Sequence, residues 1–448
     1  MKVSVSNSIL IENPSNIVKS WIEENLRFVN PEYEQKLRMG KYLGNTPKEL
    51  ILFERRGYNY EVPYGTGAYI QPYLKDAQIV SKFAKQDALT MTGSIDLYDY
   101  QKKAVIALMK GRNGMLVAPC GSGKTQIGIA LIKALGMKAL WVTHTIELLN
   151  QSMDRAKAHF EGDFGKITGG KVEIGNDITF ATVQTLSAID LAKYRDEWNV
   201  IIVDEAHKAV GGPTKVMMFY KVLSSLSARH KYGLSATFKP KAKSHISNTT
   251  SYIIGPTIHE ISKKEVDDKI IKSKKEVINL LTPFSKEFLS FDGMLDFNAL
   301  ITYLVNNEYR NREIVKLLKE NKGKKILILS HRVDHLYLLQ KMLDDGTVIV
   351  GATPKSKRTK IMDDAREGKI DYLFSTYSLA KEGLDIPILN RLVLATPQKD
   401  YVTVVQSVGR IERNFVGKVP PVVFDLVDIN IPHLIGFYNK RKSHYNKA

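Results

Sequence analysis

One cysteine, Cys120, is all that the sequence holds. That scarcity excludes an intrachain disulfide framework and any cysteine-clustered zinc site, and a reducing compartment is expected. No run of about 18 uninterrupted apolar residues is present, so no membrane span is expected. The opening MKVSVSNSILIENPSN has one lysine and no sustained apolar core, so no secretory signal is expected. Internal repeats and low-complexity tracts are also missing, which argues against a solenoid or a disordered linker protein. Acid is the scarce sign of charge: 47 Asp and Glu stand against 65 Lys and Arg, net +18. A field of that sign suits a polyanionic partner, either nucleic acid or an anionic membrane surface. Nothing resembles an isolated amphipathic anchor, so nucleic acid is the better fit.

What is present is ordinary globular composition, 44% hydrophobic and 25% charged, over 448 residues. Single cores stop growing at roughly 250–300 residues, so several domains are expected. Charge is uneven along the chain. Residues 1–90 carry 12 basic and 10 acidic residues, residues 91–238 carry 18 and 13, and residues 239–448 carry 35 and 24. The positive field is therefore weighted toward the C-terminal half. Between Tyr100 and Thr237, short apolar runs (GMLVAP, ALWVTH, ITFATV, NVIIVDE) alternate with segments of helical length. Such alternation implies βαβ units and a buried parallel sheet. The pattern returns after Ile301 in KKILILSH, TVIVGA, YLFSTY, RLVLAT and VVFDLVD. The fold class expected is α/β: two parallel-sheet domains in tandem, preceded by a small α+β domain rich in Gly and Tyr. The boundaries read as 1–90, 91–240 and 241–448, with the basic, turn-rich stretch FKPKAKSHISNTT as the joint.

The strongest chemical signal is Ala118-Pro119-Cys120-Gly121-Ser122-Gly123-Lys124-Thr125, between the strand GMLV and a helical segment. It departs from the phosphate-loop pattern G-x-x-x-x-G-K-[ST] only in having Ala118 for the first glycine. Gly121 and Gly123 permit the tight turn, so backbone amides of the loop, Ser122 included, and the helix N-terminus can surround phosphates. Lys124 then supplies charge toward the β- and γ-phosphates of ATP, and Thr125 a hydroxyl for Mg2+. Asn199–Glu205 is a second apolar strand, ending in two carboxylates. Asp204 can hold Mg2+ through water, and Glu205 can polarise an attacking water as general base. Gln406, Arg410 and Arg413 form a third cluster, whose guanidiniums suit charge developing on a transferred phosphoryl group.

Taken together and in this order, the motifs resemble the superfamily 2 helicases and translocases with two RecA-like domains and a DEAH box, Asp204-Glu205-Ala206-His207. The resemblance covers residues 94–430. It implies that Leu97-Tyr98-Asp99-Tyr100-Gln101 reads adenine, with Gln101 on the base and the Tyr98 ring standing where many relatives have arginine. It implies nucleic-acid contacts at Thr143 and His144, at Gly169 and Gly170, and at Gln184 and Thr185. From the second domain it implies Ser330, His331, Arg332, Thr353, Ser375 and Thr376. Gly383 and Asp385 would lie near the nucleotide, and Ser235-Ala236-Thr237 would link hydrolysis to the DNA site. Hydroxyls, arginine and backbone amides hold phosphate oxygens without reading bases, which suits a motor that steps along any sequence.

Within the superfamily, Tyr232–Thr237 and Tyr252–Pro256 resemble the phage UvsW-like and XPB-like branch, which remodels branched DNA. That likeness implies an ATP-dependent DNA helicase acting on single-stranded and branched duplex DNA in recombination or repair. It implies a monomer in the cytoplasm, the host's if the phage likeness holds. Two other readings are an RNA helicase or RNA-remodelling ATPase, and a DNA-binding module that ATP merely switches. The second calls for degraded catalytic groups, yet Lys124, Asp204, Glu205, Arg410 and Arg413 are all present.

Overall fold

The structure is a computed structural model that describes residues 1–84, 88–119, 121–206, 213–236, 245–267, 272–283, 288–289, 295–413, 415 and 417–447. Cys120, His207 and Thr237, each part of an expected motif, lie outside the described residues. The chain divides into two compact units, Met1–Ser262 and Lys263–Ala448.

The first unit is built on an eight-stranded sheet. From one edge to the other it runs Lys171–Glu173, Phe164–Thr168, Ile178–Thr182, Ala139–Thr143, Val200–Val203, His230–Ser235, Asn113–Val117 and Thr257–Glu260. Only the hairpin strand Lys171–Glu173 is antiparallel; every other pairing is parallel. Ala139–Thr143 and Val200–Val203 are buried at every residue, as uniformly apolar strands covered on both faces should be. The expected boundary at 240 falls inside this unit. Part of the anticipated joint is the helix His245–Ile253, and Thr257–Glu260 then returns to pair with Asn113–Val117. Polarity and turn residues suggested a linker there, but the parallel ladder to Asn113–Val117 and a buried Ile253-Ile254 pair outweigh them.

The first ~90 residues fold as a five-stranded mixed sheet, ordered Glu54–Arg56, Asn59–Pro63, Ser8–Glu12, Lys2–Val5 and Gln78–Ser81. Helix Asn16–Leu26, capped by Ser15, covers it with Val18, Ile22 and Leu26, four residues apart along one face. This front sheet does not keep to itself. Tyr252 of the later helix belongs to its core, the Tyr64 hydroxyl donates to the Arg229 carbonyl at 2.9 Å, and Thr66 donates to Tyr252. A Cβ on Gly65 would lie 2.5–2.7 Å from the backbone of Ser251, Ile254 and Gly255, so only glycine permits this approach.

Lys231 is buried in the same seam. Its Nζ donates to the carbonyls of Asn7 (3.0 Å) and Leu223 (2.6 Å) and lies 5.1 Å from the Tyr64 ring centroid. Burial pulls the ammonium down from 10.5 to about 7. Between those two values the unfolded chain holds a proton that the folded chain does not, so this group makes stability rise with pH across that window. Lys231→Met is expected to remove the rise. Urea midpoints at pH 7 and pH 9 measure it, and equal pH slopes in the variant and the parent would refute the assignment.

The second unit carries a six-stranded, wholly parallel sheet ordered Lys274–Leu280, Val422–Asp428, Arg391–Leu394, Ile326–Ser330, Tyr372–Thr376 and Thr347–Ile349. Asp425 and Asp428, three apart on one strand, point to opposite faces. Asp425 meets Arg441 of helix Pro432–Lys447 at 2.8 Å, and Asp428 meets Arg310 of helix Glu308–Glu320 at 2.9 Å. Both pairs are buried, so each fixes one covering helix to the sheet. Among the described residues no helix is long and apolar enough to cross a membrane.

Candidate functional site

In a parallel sheet every strand delivers its following loop to the same edge, and ligands bind at that edge. Along the carboxyl edge of the first sheet, the phosphate loop after Asn113–Val117 lies beside Ser235, and Ser235 beside Asp204 and Glu205. The loop's glycines have positive φ, +82° at Gly121 and +75° at Gly123, which turns backbone amides inward ahead of helix Lys124–Leu135. A Cβ on Gly123 would collide with the side chains of Gln101 and Gln126. The Lys124 ammonium reaches back to the carbonyls of Ala118 (3.2 Å) and Pro119 (3.4 Å), across the concave side of the loop. Ser122 is fully buried, and Thr125 is half-buried in the first turn of the helix.

Asp204 is also buried and accepts the Glu205 amide at 2.9 Å. Glu205 has φ +50°, one of only three positive values at non-glycine residues among those described. The chain must leave the strand sharply there to present two consecutive carboxylates. The Gln101 amide is committed within the protein: Oε1 accepts from the Tyr98 amide at 2.9 Å, and Nε2 donates to the Ser122 carbonyl at 2.9 Å. Gln101 thus ties its helix, Asp99–Lys110, to the phosphate loop. The Tyr98 ring is half exposed and stacks on Tyr100 at 5.8 Å. Burial pushes the Tyr100 hydroxyl up to about 12, so it stays a proton donor, to Ser122 O at 3.3 Å.

Farther along the same edge stand the residues expected to touch nucleic acid. Thr143 pairs in register with Thr182, and Gln184 Nε2 donates to the His144 carbonyl at 2.9 Å. Thr182 caps the short helix Val183–Ala188 and shares a 2.9 Å hydroxyl contact with Thr185. Gly169 and Gly170 form the tip of the next hairpin, with open space where side chains would be. Thr143 itself is buried, its hydroxyl given to the Thr145 carbonyl. Strands are spaced about 4.8 Å apart, so the edge from Gly169 to the phosphate loop spans roughly 24 Å.

The carboxyl edge of the second sheet gathers Arg332, Thr376 and Thr353 at the ends of three neighbouring strands. Arg332 reaches Asn298 at 3.3 Å, Thr376 caps helix Tyr377–Gly383, and the Thr353 hydroxyl accepts the Val350 amide. Ser330 and Ser375 are fully buried beneath them. The Ser330 hydroxyl meets His335 Nδ1 at 3.0 Å and accepts the Arg332 amide at 3.2 Å, so it holds the loop rather than facing outward. Helix Tyr401–Ile411 carries Gln406, which is buried, and Arg410, whose Nε donates to the Ala380 carbonyl at 2.9 Å. Arg413 forms an ion pair with Asp385, just past Gly383. Lys418, not anticipated from any motif, donates from Nζ to the Pro387 and Arg413 carbonyls, both at 2.8 Å. Burial, with Arg413 nearby, pulls its ammonium down to about 8.

Comparison with known proteins finds one family match in each unit. Residues 94–240 match the family described as type III restriction enzyme, res subunit (ResIII), and residues 309–415 match the helicase conserved C-terminal domain. A protein of Acanthamoeba polyphaga mimivirus, provisionally named an ATP-dependent RNA helicase, is 29% identical over 76% of this chain and 66% of its own. The DNA 3'-5' translocase XPB2 of Sulfurisphaera tokodaii is 26% identical over 71% of this chain and 79% of its own. The chain spans 66% of the mimivirus protein's length and 48% of that of a Rad25 relative in Haloarcula marismortui. Among solved structures, S. cerevisiae Dbp5 bound to RNA and ADP BeF3 is similar in fold. Its TM-score is 0.57 at 16% identity, over 79% of this chain and 88% of that one. The chain belongs to the superfamily 2 helicases, with a ResIII domain and a helicase conserved C-terminal domain, each on a RecA-like parallel sheet.

Proposed function

We propose that the protein is an ATP-driven DNA motor that remodels branched DNA, reversing forks and moving four-way junctions. The observation that carries the proposal is the order of motifs along one sheet edge. Phosphate-loop, Ser235, Asp204-Glu205, Thr143-His144, Gln184-Thr185 and Gly169-Gly170 segments follow one another on adjacent parallel strands. Nucleotide chemistry and backbone grip therefore share one rigid layer, so a change at one is felt at the other. Similarity to an archaeal DNA translocase supports DNA as the track.

In this reading Lys124 and the loop amides hold the β- and γ-phosphates, and Tyr98 stacks on adenine. Glu205 receives the proton of the attacking water, while Arg410 and Arg413 neutralise charge on the transferred group. Gly383 and Asp385 are the second unit's further candidates for contact with nucleotide. The Thr125 hydroxyl and Asp204 carboxylate are hard oxygen donors on one sheet edge, which fits Mg2+. The ion would supply charge neutralisation at the phosphates. His144, Gly169, Gly170, Gln184, Thr185, His331, Arg332, Thr353 and Thr376 grip the sugar-phosphate backbone, with Thr143, Ser330 and Ser375 shaping the loops from below. The front sheet acts as an accessory DNA-contacting element, and the protein works as a monomer.

The test is ATP turnover with single-stranded, duplex, forked and four-way DNA, and with RNA of equal length. Forked and four-way DNA are expected to stimulate most, and binding to weaken steeply with salt. Equal turnover with and without DNA would end the motor reading, and stronger stimulation by RNA would reassign the track.

A further inference from the structure

The Gln398 side chain stands between two motifs of the second unit. Its Oε1 accepts the amides of Lys399 (2.8 Å) and Asp400 (2.9 Å). Asp400 in turn caps helix Tyr401–Ile411, accepting the Thr403 amide at 2.8 Å, and that helix carries Gln406 and Arg410. With Oε1 so engaged, Nε2 faces the other way and lies 3.4 Å from His331 Nε2. An amide N–H2 can only donate, so this imidazole nitrogen accepts and the proton sits on Nδ1. Nδ1 meets the Thr396 hydroxyl at 2.8 Å, which also takes the His331 backbone amide at 3.0 Å. Burial, with Arg332 adjacent, holds the imidazole down to about 4, so the neutral tautomer persists at neutral pH. The Gln398 main chain is fixed as well: its carbonyl accepts from Arg441 at 2.7 Å, and Arg441 is locked on buried Asp425.

We infer that Gln398 is a positioning residue that couples nucleic-acid contact at His331-Arg332 to the helix bearing Arg410. This rests on the proposed motor reading. A shift of the His331 loop on binding a phosphate backbone pulls on one end of the amide. The other end is bonded to the amides of Lys399 and Asp400, and Asp400 is the cap of the arginine helix. Neither motif spacing nor residue type marks Gln398, since a lone glutamine after Pro397 looks like any surface loop residue.

Two variants separate coupling from capping. Gln398→Glu keeps an acceptor for the Lys399 and Asp400 amides but has no N–H for His331; Gln398→Met keeps neither. ATP turnover of the full chain is measured at pH 8, where His331 stays neutral beside a new carboxylate, with and without single-stranded DNA. Turnover without DNA is expected to stay within about twofold of the parent. The stimulation by DNA is expected to fall at least about fivefold in both variants, the lower end of ordinary coupling between sites. Thermal melting of the glutamate variant should match the parent. If Gln398→Glu is stimulated as strongly as the parent, Gln398 is only a cap and the inference is overturned. Absence of stimulation in the parent itself would instead bring down the motor reading, so the two failures are distinguishable.

Discussion

Glu205→Gln is expected to lower ATP turnover by about 10²–10⁴-fold, the ordinary worth of a positioned general base, while nucleotide still binds. The substitution is nearly isosteric, so the sharp turn at φ +50° and the bond from the Glu205 amide to Asp204 are preserved. What is lost is the ability to take a proton from water. Lys124 and the glycine loop are untouched, so a fluorescent ATP analogue should bind within a few-fold of the parent. Asp204→Asn should behave differently, weakening Mg2+-dependent binding as well as turnover, because a carboxylate is removed from the metal's side. Turnover of Glu205→Gln within tenfold of the parent would show that another group is the base.

The second large effect is on stability. Arg310→Met is expected to cost about 3–5 kcal/mol, the usual penalty for leaving one member of a buried pair behind. Both side chains are fully buried, and Arg310 also donates to the Ala395 carbonyl at 2.5 Å. Without it the Asp428 carboxylate keeps, among the described residues, the Thr282 hydroxyl at 2.5 Å. The double variant Arg310→Met, Asp428→Leu removes the stranded charge and should recover most of the loss. Urea unfolding of the full chain reads both. A single variant within about 1 kcal/mol of the parent would mean that water or a neighbouring donor reaches Asp428.

The parallel sheets were legible because buried strands need uniformly apolar, β-branched runs, and NVIIVDE or KKILILSH admit little else. The nucleotide loop was legible for a similar reason: Gly121 and Gly123 stand where the backbone takes positive φ. Less could be read where tertiary contacts override local chemistry. The polar stretch after Thr237 looked like a linker, yet Tyr252 and Ile253 are core residues, and Gly65 packs against the backbone of Gly255. Spacing placed Ser330, Ser375 and Gln101 in motifs but could not show that their polar atoms face inward. Lys418 and Gln398 were invisible because their partners are main-chain groups and an imidazole from distant segments, which leave no pattern in composition.

The meeting of Gly65 with Gly255 also sets a schedule for synthesis. Roughly 190 residues separate the two glycines, and at about 5–20 residues per second a ribosome needs roughly 10–40 s to make them. Through that interval the nascent front sheet has its strands but not the Tyr252 side of its core. It must wait, partly uncovered, for the helix His245–Ile253. A front segment cut free at residue 90 would remain in that unfinished state, which makes the first domain in sequence among the last to be sealed.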